Sequence, residues 1–151
     1  MSEKIYLHYG GDFNIEKFEK VRNRPFTNKP FGGFWASAED AKYGWKQWCR
    51  QNDFDAYKLK YVSRFKISTN KILVIDAYEK AFALPERQEY PEEHCMRISY
   101  PVLPDFEKIM KEYDVIDFRI SEDKQLYRAL YGWDCDSILI MNPDVIRKEA
   151  I

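Results

Sequence analysis

Lys4 to Tyr9 alternates polar and apolar side chains and is rich in Ile, Tyr and Leu, which predicts a first strand. Asn14 to Phe18 has the length of one helical turn. From Arg22 to Gly33 the pattern breaks, and Pro25, Pro30, Gly32 and Gly33 predict a loop. Phe34 to Ser37 predicts a short second strand. Ser37 is placed to cap a helix, with Asp40 three residues later in a capping-box position. Ala41, Trp45, Trp48 and Cys49 share one face of that helix, which should end near Asn52. Tyr57 to Ile67 reads as a long strand and Ser68 to Lys71 as a tight turn. Ile72 to Ile75 reads as a buried strand and Tyr78 to Leu84 as a helix.

The second half repeats this mixture. Asp105 caps a helix through Phe106, Ile109, Met110 and Tyr113. Val115 to Ile120 is a strand, and Ser121 or Asp123 starts a helix through Leu126, Tyr127 and Leu130. Ser137 to Met141 is the last strand, stopped by Asn142-Pro143. Trp45, Trp48, Leu126 and Leu130 sit at helical spacing and read as core. The expected architecture is α+β: one compact domain over residues 1–151, with a twisted, mixed or antiparallel split sheet and flanking helices. Pro85 to Pro104 carries four prolines and is the least regular stretch. Loops of that length in small domains are often functional.

Composition narrows the function. At 151 residues the chain can bury a real core, and 45% hydrophobic content argues against disorder. No apolar stretch approaches the length of a membrane span. The N-terminus lacks the apolar core of a secretory signal, so the expected location is cytoplasmic. Three cysteines and two histidines without ligand spacing predict reduced thiols and no metal site. A net charge of −1 does not advertise nucleic-acid binding. Lys17, Lys20, Arg22, Arg24 and Lys29 cluster and could contact phosphates, but a solvated loop is the plainer reading of them.

Two segments carry candidate chemistry. Tyr6-Leu7-His8-Tyr9-Gly10-Gly11 puts a His and two glycines at a strand end. Lys29-Pro30-Phe31-Gly32-Gly33-Phe34-Trp35-Ala36-Ser37 puts aromatics on the next strand. Glycines admit close backbone approach and aromatics supply a stacking face, so the pair suggests a pocket for a nucleotide-like or nicotinamide-like group. Trp133-Asp134-Cys135-Asp136 would bring carboxylates to the mouth of the last strand. The plain alternatives are a sheet-edge histidine, a core tryptophan, turn glycines and turn aspartates. Glu122 is a rival acid at a helix start, His94 reads as an exposed loop residue, and Cys135 lacks a basic partner for a nucleophilic role.

In these motifs the chain resembles the ADP-ribosyltransferase superfamily, on its diphtheria-toxin and poly-ADP-ribose-polymerase side. Leu7-His8-Tyr9-Gly10-Gly11 is similar to the family's first motif, with a Tyr between His and Gly. Gly33-Phe34-Trp35-Ala36-Ser37 is similar to the second, with Trp35 in place of the usual Tyr. Asp136-Ser137-Ile138-Leu139-Ile140 resembles the strand that carries the catalytic acid, with Asp in place of Glu. The resemblance implies NAD as substrate and ADP-ribose transfer to a protein or nucleic-acid acceptor, with an antitoxin or inhibitor protein as a further partner. It implies that His8 holds a ribose hydroxyl and that Tyr9 and Gly10 bind the carboxamide. Trp35 would stack on nicotinamide, with Gly33, Phe34 and Ser37 completing that wall. Asp136 would stabilise the developing cation, and Asp134 would orient the acceptor. The rival reading is a non-catalytic module on the same fold that binds a nucleotide, ADP-ribose or a protein.

Overall fold

The computed structural model describes residues 4–130 and 133–148. Seven strands build one mixed sheet: β1 (Tyr6–Tyr9), β2 (Phe34–Ala38), β3 (Val62–Ile67), β4 (Ile72–Ile75), β5 (Val115–Phe118), β6 (Ser137–Ile140) and β7 (Ile146–Lys148). Their spatial order is β4-β5-β6-β2-β1-β3-β7. β4 and β5 run parallel, and the other pairings are antiparallel. Five short helices flank the sheet: α1 (Trp45–Asn52), α2 (Tyr78–Phe82), α3 (Cys95–Ser99), α4 (Phe106–Ile109) and α5 (Lys124–Ala129). The expected α+β class holds.

Strand alternation divides the sheet into two unlike faces. Register aligns Leu73, Ile116, Leu139 and Trp35 across β4, β5, β6 and β2. These residues share a cluster with Ala81, Leu84, Phe106, Ile109, Leu126 and Leu130, so α2, α4 and α5 cover this first face. The second face carries Tyr6, Phe34, Ala36, Phe65, Ile138 and Ile140. It is closed by Val145, in a 3-10 turn over Pro143–Val145, and by Ile146.

The sheet is also nearly split lengthwise. β1 and β2 pair through Tyr6↔Ala38 and Leu7↔Ser37. Beyond Leu7 they diverge, and a side chain spans the gap: His8 Nδ1–H donates to the Trp35 carbonyl oxygen at 2.6 Å. The parting of these strands opens the first face beside Leu7, Tyr9 and Trp35.

Several elements differ from expectation. Ser37 and Ala38 are held in the ladder with Leu7 and Tyr6, so no helix starts at Ser37. The helix begins eight residues later. There Gly44 N–H donates to Gln47 Oε1, and Trp45 N–H donates to Ser37 Oγ, each at 3.0 Å. Ser37 therefore caps α1 across space rather than along the chain, and the Asp40 box is absent. α1 does end at Asn52, where Asp53 turns left-handed with φ 50°. Residues 56–60 wind into a 3-10 turn, leaving a strand of six residues rather than eleven. Trp45 and Trp48 stack on each other at 5.1 Å and against Phe54, half-buried rather than in the core. Leu126 and Leu130 are core, as expected. β7 was not foreseen, because Ile146-Arg147-Lys148 alone is too short and polar to read as a strand.

Candidate functional site

A cleft of about 410 Å³ opens on the first face where β1 and β2 part. Leu7, Trp35, Ser37 and Ser137 contribute from three strands, and Trp133 and Cys135 come from the segment before β6. Its mouth carries Arg24, Lys29 and Asp134. Trp35 is half-buried, and its ring lies 5.0 Å from that of Trp133. Trp133 is held by Phe118 at 4.0 Å and Phe106 at 6.2 Å, so the rim of the hydrophobic core supplies an aromatic floor. Among the described residues its buried Nε1 has no hydrogen-bond partner.

The loop that brings the cations is braced. Gly33 N–H donates to the Glu19 carbonyl at 2.9 Å, and Arg22 and Phe31 form an antiparallel bridge. Arg22 and Arg24 both lie over the Phe31 ring. From outside, the buried Arg87 guanidinium donates to the Arg24 carbonyl at 2.7 Å and the Thr27 carbonyl at 3.3 Å, and pairs with Glu89. Arg97 then ties the Arg87 carbonyl and Glu86. Pro85 to Pro104 is thus a strut behind the cleft wall, and it contains α3. His94 caps that helix: its half-buried Nδ1 accepts from Met96 N–H, contrary to the exposed loop position expected.

The cleft brings together Trp35, Ser37, Tyr9 and Asp134 of the expected site, with His8 at its border. Lys29 Nζ lies 3.6 Å from Asp134 Oδ2, and both side chains are more than a third exposed. Such a pair is worth little and opens easily. Ser37 Oγ is committed on both sides, donating to the Asp136 carbonyl at 2.9 Å and accepting from Trp45 N–H. The imidazole of His8 is turned away from the first face and packs on Phe34, centroids 4.3 Å apart. Burial lowers its pKa from 6.5, opposed by the Trp35 carbonyl, and keeps the ring neutral. The Cys135 thiol is pushed up to about 12, by burial first and then by Asp134 and Asp136, which removes it as a nucleophile.

Four expected residues are not at the cleft. Asp136 belongs to the second face and is buried there. Its carboxylate accepts from Ser121 N–H at 2.8 Å, Ser121 Oγ–H at 2.5 Å and Tyr43 N–H at 3.2 Å. Its own N–H donates to the Tyr43 carbonyl at 2.8 Å. It is a clasp holding three segments, and it borders a separate hollow with Asp117, Arg119 and Glu122. Glu122 pairs with Lys42. Phe34, one residue out of phase with Trp35, points to the second face among Phe13, His8 and Phe65. Gly33 has φ 76°, and a Cβ there would stand 2.5 Å from Leu139 Cδ1, so it is a packing and turn glycine. Gly10 donates its N–H to the Tyr61 carbonyl at 2.8 Å, which closes the end of β1 onto the next segment.

Arg24 and Lys29 belong to the basic cluster read as a solvated loop, and Trp133 drew notice only for the aspartates that follow it, yet all three line the cleft. The basic cluster before Pro30 was the available signal for the first two. Among the described residues no group of His, Cys, Asp and Glu is arranged to hold a metal, and no helix is long and apolar enough to cross a membrane. No family model matches the chain, and neither a curated protein nor a solved structure matches it.

Proposed function

We propose that the cleft takes NAD and that the protein works as an ADP-ribosyltransferase-like enzyme. The observation that carries this reading is the pairing of an aromatic floor, Trp35 on Trp133, with Arg24 and Lys29 at the mouth. An indole face suits a flat base or nicotinamide ring, and two cations suit a diphosphate. The carboxylate assigned to the reaction shifts from Asp136 to Asp134, the acid that borders this cleft. In the reaction the C1′–N bond breaks and nicotinamide leaves with the bonding electrons. An oxygen or nitrogen of the acceptor, protein or nucleic acid, bonds to C1′ and loses its proton. Asp134, released from Lys29 by the arriving phosphates, would stabilise the positive charge developing on the ribose.

A second reading keeps the ligand and drops the chemistry: a non-catalytic module for NAD or ADP-ribose. Asp136 is fully occupied, and Asp134 is already paired with Lys29. Nicotinamide release from NAD separates the two, measured beside Asp134→Asn and Trp35→Ala. Release that Asp134→Asn abolishes while NAD still binds supports the enzyme. Binding of NAD without release, with candidate acceptors present, supports the module. Absence of NAD and ADP-ribose binding overturns both.

A further inference from the structure

The cleft continues into a second groove of about 370 Å³, sharing Leu7, Tyr9, Ser37 and Trp45 with it. Lys46, Leu59 and Arg64 line the extension. Beyond it lies an aromatic and cationic surface. Phe54, Tyr57 and Tyr61 are 45%, 65% and 56% exposed, too much apolar ring area for a merely solvated loop. The Lys58 ammonium lies over the Tyr57 ring at 5.8 Å and that of Lys60 over the Tyr61 ring at 5.2 Å. Trp45 and Trp48 stack behind them, with Phe54 edge-on to both.

The charge of this region is opposite to that of the whole chain. Between Lys42 and Lys66 stand seven Lys or Arg against two Asp, while the protein carries a net −1. Part of that charge is already paired, Lys58 with Asp55 and Arg64 with Glu39. Lys42 pairs with Glu122, and the Lys60 ammonium stands among the exposed rings. Alternating rings and cations on an open surface match one polymer: rings stack on unpaired bases and cations hold the phosphates between them. A duplex keeps its bases stacked on each other and leaves the rings idle. An acidic protein would use the cations and gain little from the two tyrosines.

We infer that the surface formed by Tyr57, Lys58, Lys60 and Tyr61, with the groove beside Lys46 and Arg64, binds single-stranded nucleic acid and leads it to the cleft. Its role as the acceptor site rests on the NAD reading, whereas strand binding itself does not. The groove shares Tyr9 and Trp45 with the cleft, so a strand laid along it reaches the place where ADP-ribose would be handed over.

The test is fluorescence anisotropy with labelled mixed-sequence RNA and DNA single strands of about 12 nucleotides, a length within the usual range of such sites. A duplex of the same sequence and an acidic polypeptide serve as competitors. Expected are binding that weakens with added salt, preference for single strands over both competitors, and at least a tenfold loss in Tyr57→Ala/Tyr61→Ala. Lys58→Glu/Lys60→Glu should weaken binding and flatten the salt dependence. Circular dichroism of each variant confirms folding, and these exposed sites should leave it unchanged. Equal competition by the duplex or the acidic polypeptide, no binding of either single strand, or folded variants that bind as wild type, each overturns the inference. NAD binding by calorimetry on the same preparation keeps the two proposals separate. Strand binding without NAD binding sinks the enzyme alone, and NAD binding without strand binding sinks the strand site alone.

Discussion

The two faces of the sheet use the same strands for different ends. The first face buries Leu139, Phe118 and Ile116 under three helices and opens into a cleft that Trp35, Trp133, Arg24 and Lys29 line. The second face packs Phe65, Phe34 and Ile138 under a turn and a short strand, and spends its polar groups on structure: Asp136 as a clasp and His8 as a bridge between diverging strands. Neighbours in sequence are divided between them. Phe34 and Trp35 stand one residue apart on opposite sides of the sheet, and just before β6 Cys135 turns to the cleft while Asp136 turns to Ser121 and Tyr43. The lesson is that a motif written as consecutive letters names two sites at once, and only the phase of the strand says which letters act together.

The sharpest way to break this contrast is at Trp133. It is 2% exposed and touches Trp35, Phe106 and Phe118. Trp133→Ala should cost about 3–5 kcal/mol in denaturant unfolding, because it empties the junction between core and cleft. Trp133→Phe should cost far less, since Nε1 already lacks a partner and its loss removes no hydrogen bond. Equal losses for the two would make the full indole shape, rather than aromatic bulk alone, what fills the junction. Rescue by Phe would make aromatic bulk the property that holds the floor.

On the second face the largest effect belongs to Asp136. Asp136→Ala strands the Ser121 and Tyr43 N–H groups and should cost about 1–3 kcal/mol. NAD affinity of the folded fraction should stay at the wild-type value, whereas Trp35→Ala should lose affinity with a smaller change in stability. Unfolding curves and calorimetry on both variants check the pair. Loss of NAD binding at unchanged stability in Asp136→Ala would reverse the division of labour and return that residue to the site.

Much of this was legible in advance, and the failures share a cause. The strands expected over Lys4 to Tyr9, Ile72 to Ile75 and Ser137 to Met141 form within a residue or two of those bounds, as Tyr6–Tyr9, Ile72–Ile75 and Ser137–Ile140, because local pattern decides burial there. Asp136 was misplaced because the two aspartates that bracket Cys135 precede β6, where alternation does not apply, and the chain there sends Asp134 to the cleft and Asp136 to Ser121 and Tyr43. Ser37 looked like a cap and is one, but for a helix starting eight residues on, a tertiary contact that spacing cannot show. The overall charge of −1 masked the basic stretch from Lys42 to Lys66. Trp45 and Trp48, within that stretch and at helical spacing, stand half-buried rather than in the core.

His8 gives a smaller and slower signal. Its folded-state pKa is lowered from 6.5 by burial. As pH falls below that value, the unfolded chain takes up the proton first. The unfolded state then binds more protons than the folded one, and stability declines. Above neutrality the contribution is constant. His8→Gln keeps a donor for the Trp35 carbonyl and removes the titration. The stability difference between wild type and variant, followed by urea unfolding from about pH 8 to about pH 5, should therefore shift against wild type as pH falls. A flat difference would mean that the ring accepts its proton without leaving the gap between the strands.

The least disruptive probe compares the thiols. Cys95 is exposed, while Cys49 and Cys135 are buried. Burial raises both buried groups, Cys135 to about 12, and thiolate is the reactive form. At about pH 8 the thiolate fraction of Cys135 is roughly one in ten thousand, so alkylation should stop at one thiol in the folded protein and reach all three in denaturant. Peptide mapping should place the first label on Cys95. A second, slower label on Cys135 rather than Cys49 would show that the cleft opens to its floor, since Cys135 lines the cleft together with the paired Lys29 and Asp134. Lys29→Ala should then accelerate that label if the salt bridge is the gate. An unchanged rate would place the barrier in the packing of Trp35 on Trp133, the same contact that separates the binding edge of the first face from its core.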